Sequence, residues 1–307
     1  MANTSPFNHR SSADEVLQGR NLSGQVILVT GANTGIGYET ARSLAVAGAT
    51  VIGTCRTAEK AAATKLRLQQ AHPGIDLETA VMDLASLASV SDFCKQLSHS
   101  VIDTVICNAG IVAPEYGETS DGFEQTVGIC HIGHFLLVTS LLPRILSATA
   151  PRVVMVSSES HRAPPHLNFD ALPYPKASYR PMKAYGQAKL CNALMAVELH
   201  RRFSDQGLTA CYLHPGTMVT TDIGRDSALI RFAMLLVRPF TKTANQGAAT
   251  SVFCATWDDC GELGGNYFSH CAKAKPSAET ANAQVATRLW ERSERWLQEK
   301  GYSVAPL

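Results

Sequence analysis

Six short apolar runs rich in β-branched residues recur along the first two-thirds of the chain, at Gln25–Thr30, Thr50–Cys55, Leu77–Met82, Val101–Cys107, Arg152–Ser157 and Leu208–His214. Runs of this length with little internal polar alternation predict strands buried on both faces. Between them the apolar positions recur at helical spacing. Helices are expected over Tyr38–Ala47, Ala58–Ala71, Leu87–Leu97, about 122–146, Met182–Phe203, Thr243–Thr256 and about 277–300, with a last short strand near Asn266–Ser269. The long helical stretch is expected to bend near Gly128, Gly133 or Pro143. Strand and helix alternate strictly, which predicts an α/β protein with a parallel sheet covered by helices on both faces. Ala163–Pro181 is the longest irregular loop. No repeat or long linker divides the chain, so a single domain over 22–300 is expected, preceded by a flexible N-terminal arm, 1–21.

Composition narrows the picture by exclusion. The 307 residues carry a net charge of +1 and are 45% apolar. That balance gives no basis for binding nucleic acid. Nine cysteines lie scattered without a C-x-x-C pair, several inside apolar runs, so they are read as reduced core residues of an intracellular, cytoplasmic protein. The first 21 residues lack an apolar signal region. The longest candidate for a membrane contact is Ala228–Phe240. It is too short to span and carries Arg231 and Arg238, which leaves an amphipathic helix at a membrane surface as one reading.

The chemistry-bearing residues fall at strand ends. Gly31-Ala-Asn33-Thr34-Gly35-Ile36-Gly37 follows the first strand and opens the first helix. Glycines there permit a tight turn and let the main chain approach a pyrophosphate resting on the helix N-terminus. The second strand ends at Cys55-Arg56, with no acidic residue from Gly53 to Ala58. An acid at that point commonly binds a ribose 2′-hydroxyl, whereas a guanidinium suits a 2′-phosphate. Arg56 therefore favours NADP(H) over NAD(H), with Lys60 farther along as an accessory, unless Arg56 is a surface residue capping the next helix. Tyr185 and Lys189 stand four apart, on one face if the run is helical. A phenol titrates near pH ~10, and a fixed cation beside it favours the phenolate. Such a pair supplies a proton donor and acceptor near neutral pH, or else is an ordinary surface contact.

Together these motifs resemble the short-chain dehydrogenase/reductases, through T-G-x-x-x-G-I-G, Asp83-Leu84, Asn108-Ala109-Gly110, Ser158, Y-x-x-x-K and Pro215-Gly216. The runs Val156–Arg162, His131–Phe135, Arg238–Lys242 and Gln246–Thr250 look most like the retinol dehydrogenase and WW domain-containing oxidoreductase branch, without a WW module. The resemblance implies a Rossmann-type, doubly wound, three-layer α/β/α fold. It implies that Asp83 bonds the adenine amine with Leu84 beside the ring, and that Asn108, Ala109 and Gly110 line the cofactor. Pro215, Gly216 and Thr217 would contact the nicotinamide side. Ser158 would hold the substrate carbonyl oxygen, Tyr185 would exchange a proton with it, and Lys189 would hold the nicotinamide ribose. Homodimerisation through the long helices is common in the family.

One position departs from the pattern. The phrase N-H-x-G-H-F, whose asparagine supports a helix bend and a water chain to the lysine, reads Cys130-His-Ile-Gly-His-Phe135 here. A thiol replaces an amide poorly, although a main-chain carbonyl still holds water. Cys130, His131 and His134 are not expected to converge on a metal. The region 217–240, where the family covers its substrate, is apolar through Met218, Ile223, Leu229, Ile230, Phe232, Met234 and Leu235, which points to a lipophilic substrate such as a retinoid, steroid or fatty aldehyde, or to core packing. The expectation is an NADP(H)-dependent oxidoreductase of an alcohol/carbonyl pair. The alternative is a nucleotide-binding interaction protein with little activity. An extended-type nucleotide-sugar enzyme fits less well, since its loop reads T-G-x-x-G-x-x-G.

Overall fold

The computed structural model describes residues 5–216, 242–258 and 263–303. Its centre is an eight-stranded sheet of β1 (Val26–Thr30), β2 (Thr50–Cys55), β3 (Leu77–Val81), β4 (Thr104–Cys107), β5 (Arg152–Val156), β6 (Thr209–His214), β7 (Tyr267–Ser269) and β8 (Ala272–Lys273). The spatial order is β3-β2-β1-β4-β5-β6-β7-β8, parallel except for the antiparallel β7–β8 pair. This is the doubly wound arrangement, with its switch point between β1 and β4.

Alternation along each strand builds two cores. Leu28, Val105, Val153, Met155 and Tyr212 face one layer, while Ile27, Val29, Ile106, Val154, Val156, Cys211 and Leu213 face the other. Both faces are apolar because both are covered, which is why the strands read as continuous hydrophobic runs. One layer contains α1 (Ala13–Leu17), α2 (Gly35–Val46) and α7 (Ala244–Thr256). α3 (Ala58–Ala71) adds Leu68 to it. The other contains α4 (Leu87–Gln96), α5 (Gly133–Leu146), α6 (Pro181–Phe203) and α8 (Ala283–Glu299).

Three sequence expectations change. Residues 5–21 are not a free arm. Ser12 and Glu15 form a reciprocal capping box, α1 buries Ala13, Val16 and Leu17, and Ala13 N donates to Asn245 Oδ1 of α7 at 2.8 Å. The C-terminal helix begins at Ala283 rather than 277, because the Asn282 side chain accepts from Gln284 N and Val285 N and caps it there. The stretch Gln125–Leu146 is long and apolar enough to cross a membrane by length and composition, but most of it is buried against the sheet and α4.

The bend in that stretch is a π-helical turn at Gly128–Ile132, which runs into α5 at Gly133. A side chain at Gly133 would place its Cβ 2.7 Å from the Leu84 carbonyl oxygen, so only glycine lets this helix approach the loop after β3. π-turns release a main-chain group from the helical ladder and are frequent at functional sites.

Candidate active site

The end of β1 is tied to the loop after β4 by two side chains. Thr30 Oγ1 accepts from Asn108 N at 2.9 Å and from Ala109 N at 3.0 Å, while Asn108 Nδ2 donates to the Thr30 carbonyl at 2.8 Å. With both lone pairs taken, the Thr30 hydroxyl donates to His134 Nε2 at 2.8 Å. His134 therefore carries its proton on Nδ1 and donates to the Cys130 carbonyl at 3.0 Å. Burial pushes the His134 pKa down to about 4, which keeps this ring neutral. The chain Asn108–Thr30–His134–Cys130 thus links the glycine loop to the π-turn.

A cavity of about 430 Å³ opens at the carboxyl edge of β1, β2 and β4. It is lined by Gly31, Asn33, Thr34, Gly35, Ile36 and Gly37, by Arg56 and Lys60, by Asp83 and Leu84, and by Asn108, Ala109 and Gly110. Every cofactor residue expected from the first four strands therefore meets in one place. Gly37 is indispensable to its shape: a Cβ there would lie 2.3 Å from Gly31 O and 2.4 Å from Asn108 Nδ2. The loop is held from outside by Arg67, which donates to Asn33 O at 3.0 Å and stacks on Tyr38. A nucleotide fits this donor set. Main-chain amides and the α2 N-terminus face the cradle, and two cations stand at the β2 end.

Sequence reasoning did not single out Thr54, Met82, Ile111 and Ile129, which also line the cavity. They are apolar or small wall residues without a motif: Thr54 and Met82 lie at strand ends, Ile111 follows the Asn108–Gly110 run, and Ile129 lies in the π-turn.

The second half of the site lies at the ends of β5 and β6. Pro181 starts α6, where its missing N–H costs no helical bond. α6 then presents Tyr185, half-buried, and Lys189, 3% exposed. Lys189 Nζ donates to the Val156 carbonyl at 2.8 Å and stands 5.6 Å from the centre of the Tyr185 ring. The two serines after β5 separate in role. Ser157 is buried and donates to the Lys189 carbonyl at 2.8 Å, anchoring the helix to the strand. Ser158 is partly exposed and caps the turn Glu159–Arg162 by accepting from Ser160 N at 3.2 Å. Pro215 and Gly216 follow β6, and Gly216 adopts φ +118° with the Lys242 side chain against it. Thr217 and the apolar region 217–240 lie outside the described residues.

Gly110 sits between the two halves. A Cβ on it would lie 3.1 Å from Lys189 Nζ and 3.2 Å from Cys130 Sγ. Cys130 is fully buried, and burial raises its pKa, so it is a thiol. His131, also neutral through burial, bonds Ser293 Oγ of α8 at 2.8 Å. Neither histidine of this phrase is turned to a metal, and no group of three His, Cys, Asp or Glu side chains among the described residues is placed to hold one.

Comparison with known proteins agrees with this geometry. A family model described as short chain dehydrogenase matches residues 25–169. The WW domain-containing oxidoreductase of Danio rerio is 43% identical over 303 residues, covering 96% of this chain and 73% of that protein. Human retinol dehydrogenase 11 is 38% identical over 272 residues, covering 88% and 85%. A crystal structure of an uncharacterised protein from Mycobacterium paratuberculosis superposes with a TM-score of 0.75 at 32% identity, covering 94% of this chain and 97% of that one. The Pseudomonas aeruginosa RhlG/NADP complex, at 23% identity and a TM-score of 0.64, shares the fold. The chain belongs to the short-chain dehydrogenase/reductase family of nicotinamide-dependent oxidoreductases.

Proposed function

We propose that the protein interconverts an alcohol and a carbonyl on an apolar small molecule, with NADP(H) preferred over NAD(H). The observation that carries the reading is the placement of buried Lys189 beside Tyr185 at the carboxyl edge of the sheet, across Gly110 from the nucleotide cavity. The nicotinamide, when bound, supplies or accepts the hydride. The chain's own groups do the rest. In the reducing direction the Ser158 hydroxyl donates a hydrogen bond to the carbonyl oxygen, and Tyr185 Oη gives that oxygen its proton as the carbon receives hydride. In the oxidising direction Tyr185 takes the hydroxyl proton back. Lys189 places a positive charge next to the phenol and holds the ribose side of the site. Asp83 and Leu84 hold the adenine end, and Pro215, Gly216 and Thr217 the nicotinamide end.

The cofactor preference rests on Arg56 and Lys60 at the rim of the cavity, where a 2′-phosphate would meet two cations. The apolar substrate rests on the composition of 217–240 and on the names of the retinol dehydrogenase relatives. A panel of retinoid, steroid and aliphatic carbonyls with NADPH and with NADH, read by loss of reduced-cofactor absorbance, tests the reading. Turnover of an apolar carbonyl with NADPH preferred supports it. Turnover confined to polar substrates contradicts it.

A further inference from the structure

The hydroxyl assigned to the substrate oxygen is carried by a turn whose position is set from the far end of the chain. Ser158 opens the turn Glu159–Arg162, and its carbonyl accepts two bonds from one residue: His161 N at 3.0 Å and His161 Nδ1 at 2.6 Å. The other ring nitrogen, His161 Nε2, accepts from Ser277 N at 3.2 Å. Because a main-chain N–H only donates, Nε2 is unprotonated and Nδ1 carries the proton, so the ring is a neutral connector with both nitrogens used. The ring is wholly buried. It lies 4.7 Å from the Tyr267 ring of β7 and 5.7 Å from the Tyr212 ring of β6. Tyr267 in turn donates from its hydroxyl to Glu159 Oε2 at 2.8 Å, and Glu159 pairs with Arg162. Glu159 and His161 of the turn are thus tied to Tyr267 and Ser277, more than 100 residues later in the chain.

We infer that His161 is a positioning residue for Ser158, fixing the serine hydroxyl against the substrate oxygen through the Nδ1–H bond to the Ser158 carbonyl and the Ser277 bond behind it. The inference rests on the assignment of Ser158 made above. The Ser158 hydroxyl is itself the cap of the turn, accepting from Ser160 N and donating to Ser160 Oγ. A shift of the turn therefore moves the catalytic oxygen directly. His161 touches no reacting atom; it acts through Ser158 alone.

Three substitutions separate the two bonds. His161→Asn places an amide donor where Nδ1 stands and keeps the bond to the Ser158 carbonyl. His161→Gln reaches the Ser277 amide but withdraws the donor from Ser158. His161→Phe keeps a ring against Tyr212 and Tyr267 and loses both bonds. Misplacing a catalytic group by about 1 Å costs on the order of 100-fold in rate. The Phe and Gln variants are expected to lose roughly that factor in kcat with the KM for NADPH unchanged, and Asn to recover most of it. In a Ser158→Ala background, His161→Phe is expected to have no further effect, because the group it positions is gone.

Wild-type kcat in both the Phe and Gln variants overturns the inference. So does a His161→Phe effect that multiplies in full with Ser158→Ala. NADPH binding, followed by quenching of protein fluorescence, identifies any variant that has lost its fold; if Phe is such a variant, the Asn and Gln pair carries the test. Unchanged turnover in Ser158→Ala alone would overturn the assignment of the serine itself, a result distinct from any of these.

Discussion

Cys130 is joined to the main chain of Ile111 through sulfur: Ile111 N donates to Sγ at 3.4 Å, and the thiol faces the Ile111 carbonyl at 3.7 Å. The thiol spans the gap between the π-turn and the loop after β4, which is the junction behind Lys189. It does so with long, weak bonds, because sulfur is a poor donor and acceptor. An asparagine there offers an amide N–H to the carbonyl and an amide oxygen to the N–H.

Cys130→Asn should therefore strengthen the junction by about 1 kcal/mol, the net value of an ordinary hydrogen bond. The expected result is a raised Tm and a raised kcat, with the KM for the cofactor unchanged. Thermal melting and steady-state kinetics check it. Turnover absent from both forms would favour a nucleotide-binding protein without catalysis.

Arg56→Ala should raise the KM for NADPH on the order of 10- to 100-fold and leave that for NADH nearly unchanged, since a charge-assisted bond is worth about 1.5–3 kcal/mol. Equal effects on the two cofactors would remove Arg56 from the 2′-phosphate site. Lys60→Ala, farther along α3, should show the same preference with a smaller change.

Gly37→Ala puts a methyl group into the space held by Gly31 O and Asn108 Nδ2. Overpacking of this kind costs about 1–3 kcal/mol. The variant should melt earlier and bind NADPH at least ~10-fold more weakly, since the cradle and the Asn108 link move together. Calorimetric titration of NADPH reads the outcome, and unaltered affinity would place the nucleotide elsewhere.

Acid should destabilise the fold well before its carboxylates protonate. Burial lowers the pKa of His131 to about 3, and of His134 and His214 to about 4. In the unfolded chain these rings titrate near ~6.5. Between those values the unfolded state binds protons that the folded state refuses, so stability falls as pH falls. The Tm should be flat above pH ~7 and drop steadily from about 6.5 towards 4.5. A constant Tm across that window would mean that these rings are not held neutral.

Much of this was legible in the residues, for reasons that differ by position. β1, β5 and β6 announced themselves because both their faces are buried, leaving no polar position to interrupt the run. Tyr185 and Lys189 were legible because helical spacing alone puts them together. α1 was not: five residues are too few for periodicity, and the helix exists because it packs on α2 and α7. The Ser12-x-x-Glu15 capping box was its one local signal. The Cys130 junction and the His161 link were illegible in principle, since Ile111 and Ser277 are brought to them by the sheet and not by spacing. The separate duties of Ser157 and Ser158 likewise needed the pleat, which turns one inward to Lys189 O and leaves the other at the edge.

In the proposed reaction Tyr185 transfers the proton while the rest of the site holds the cofactor. Tyr185→Phe removes one oxygen and leaves the ring beside Lys189, so it isolates that step. Turnover of the best apolar carbonyl with NADPH, measured alongside NADPH affinity in the same variant, is the direct test. The expected result is a loss of kcat of at least ~100-fold, the contribution typical of a positioned general acid, with affinity for NADPH largely intact. Undiminished turnover in the phenylalanine variant would contradict it.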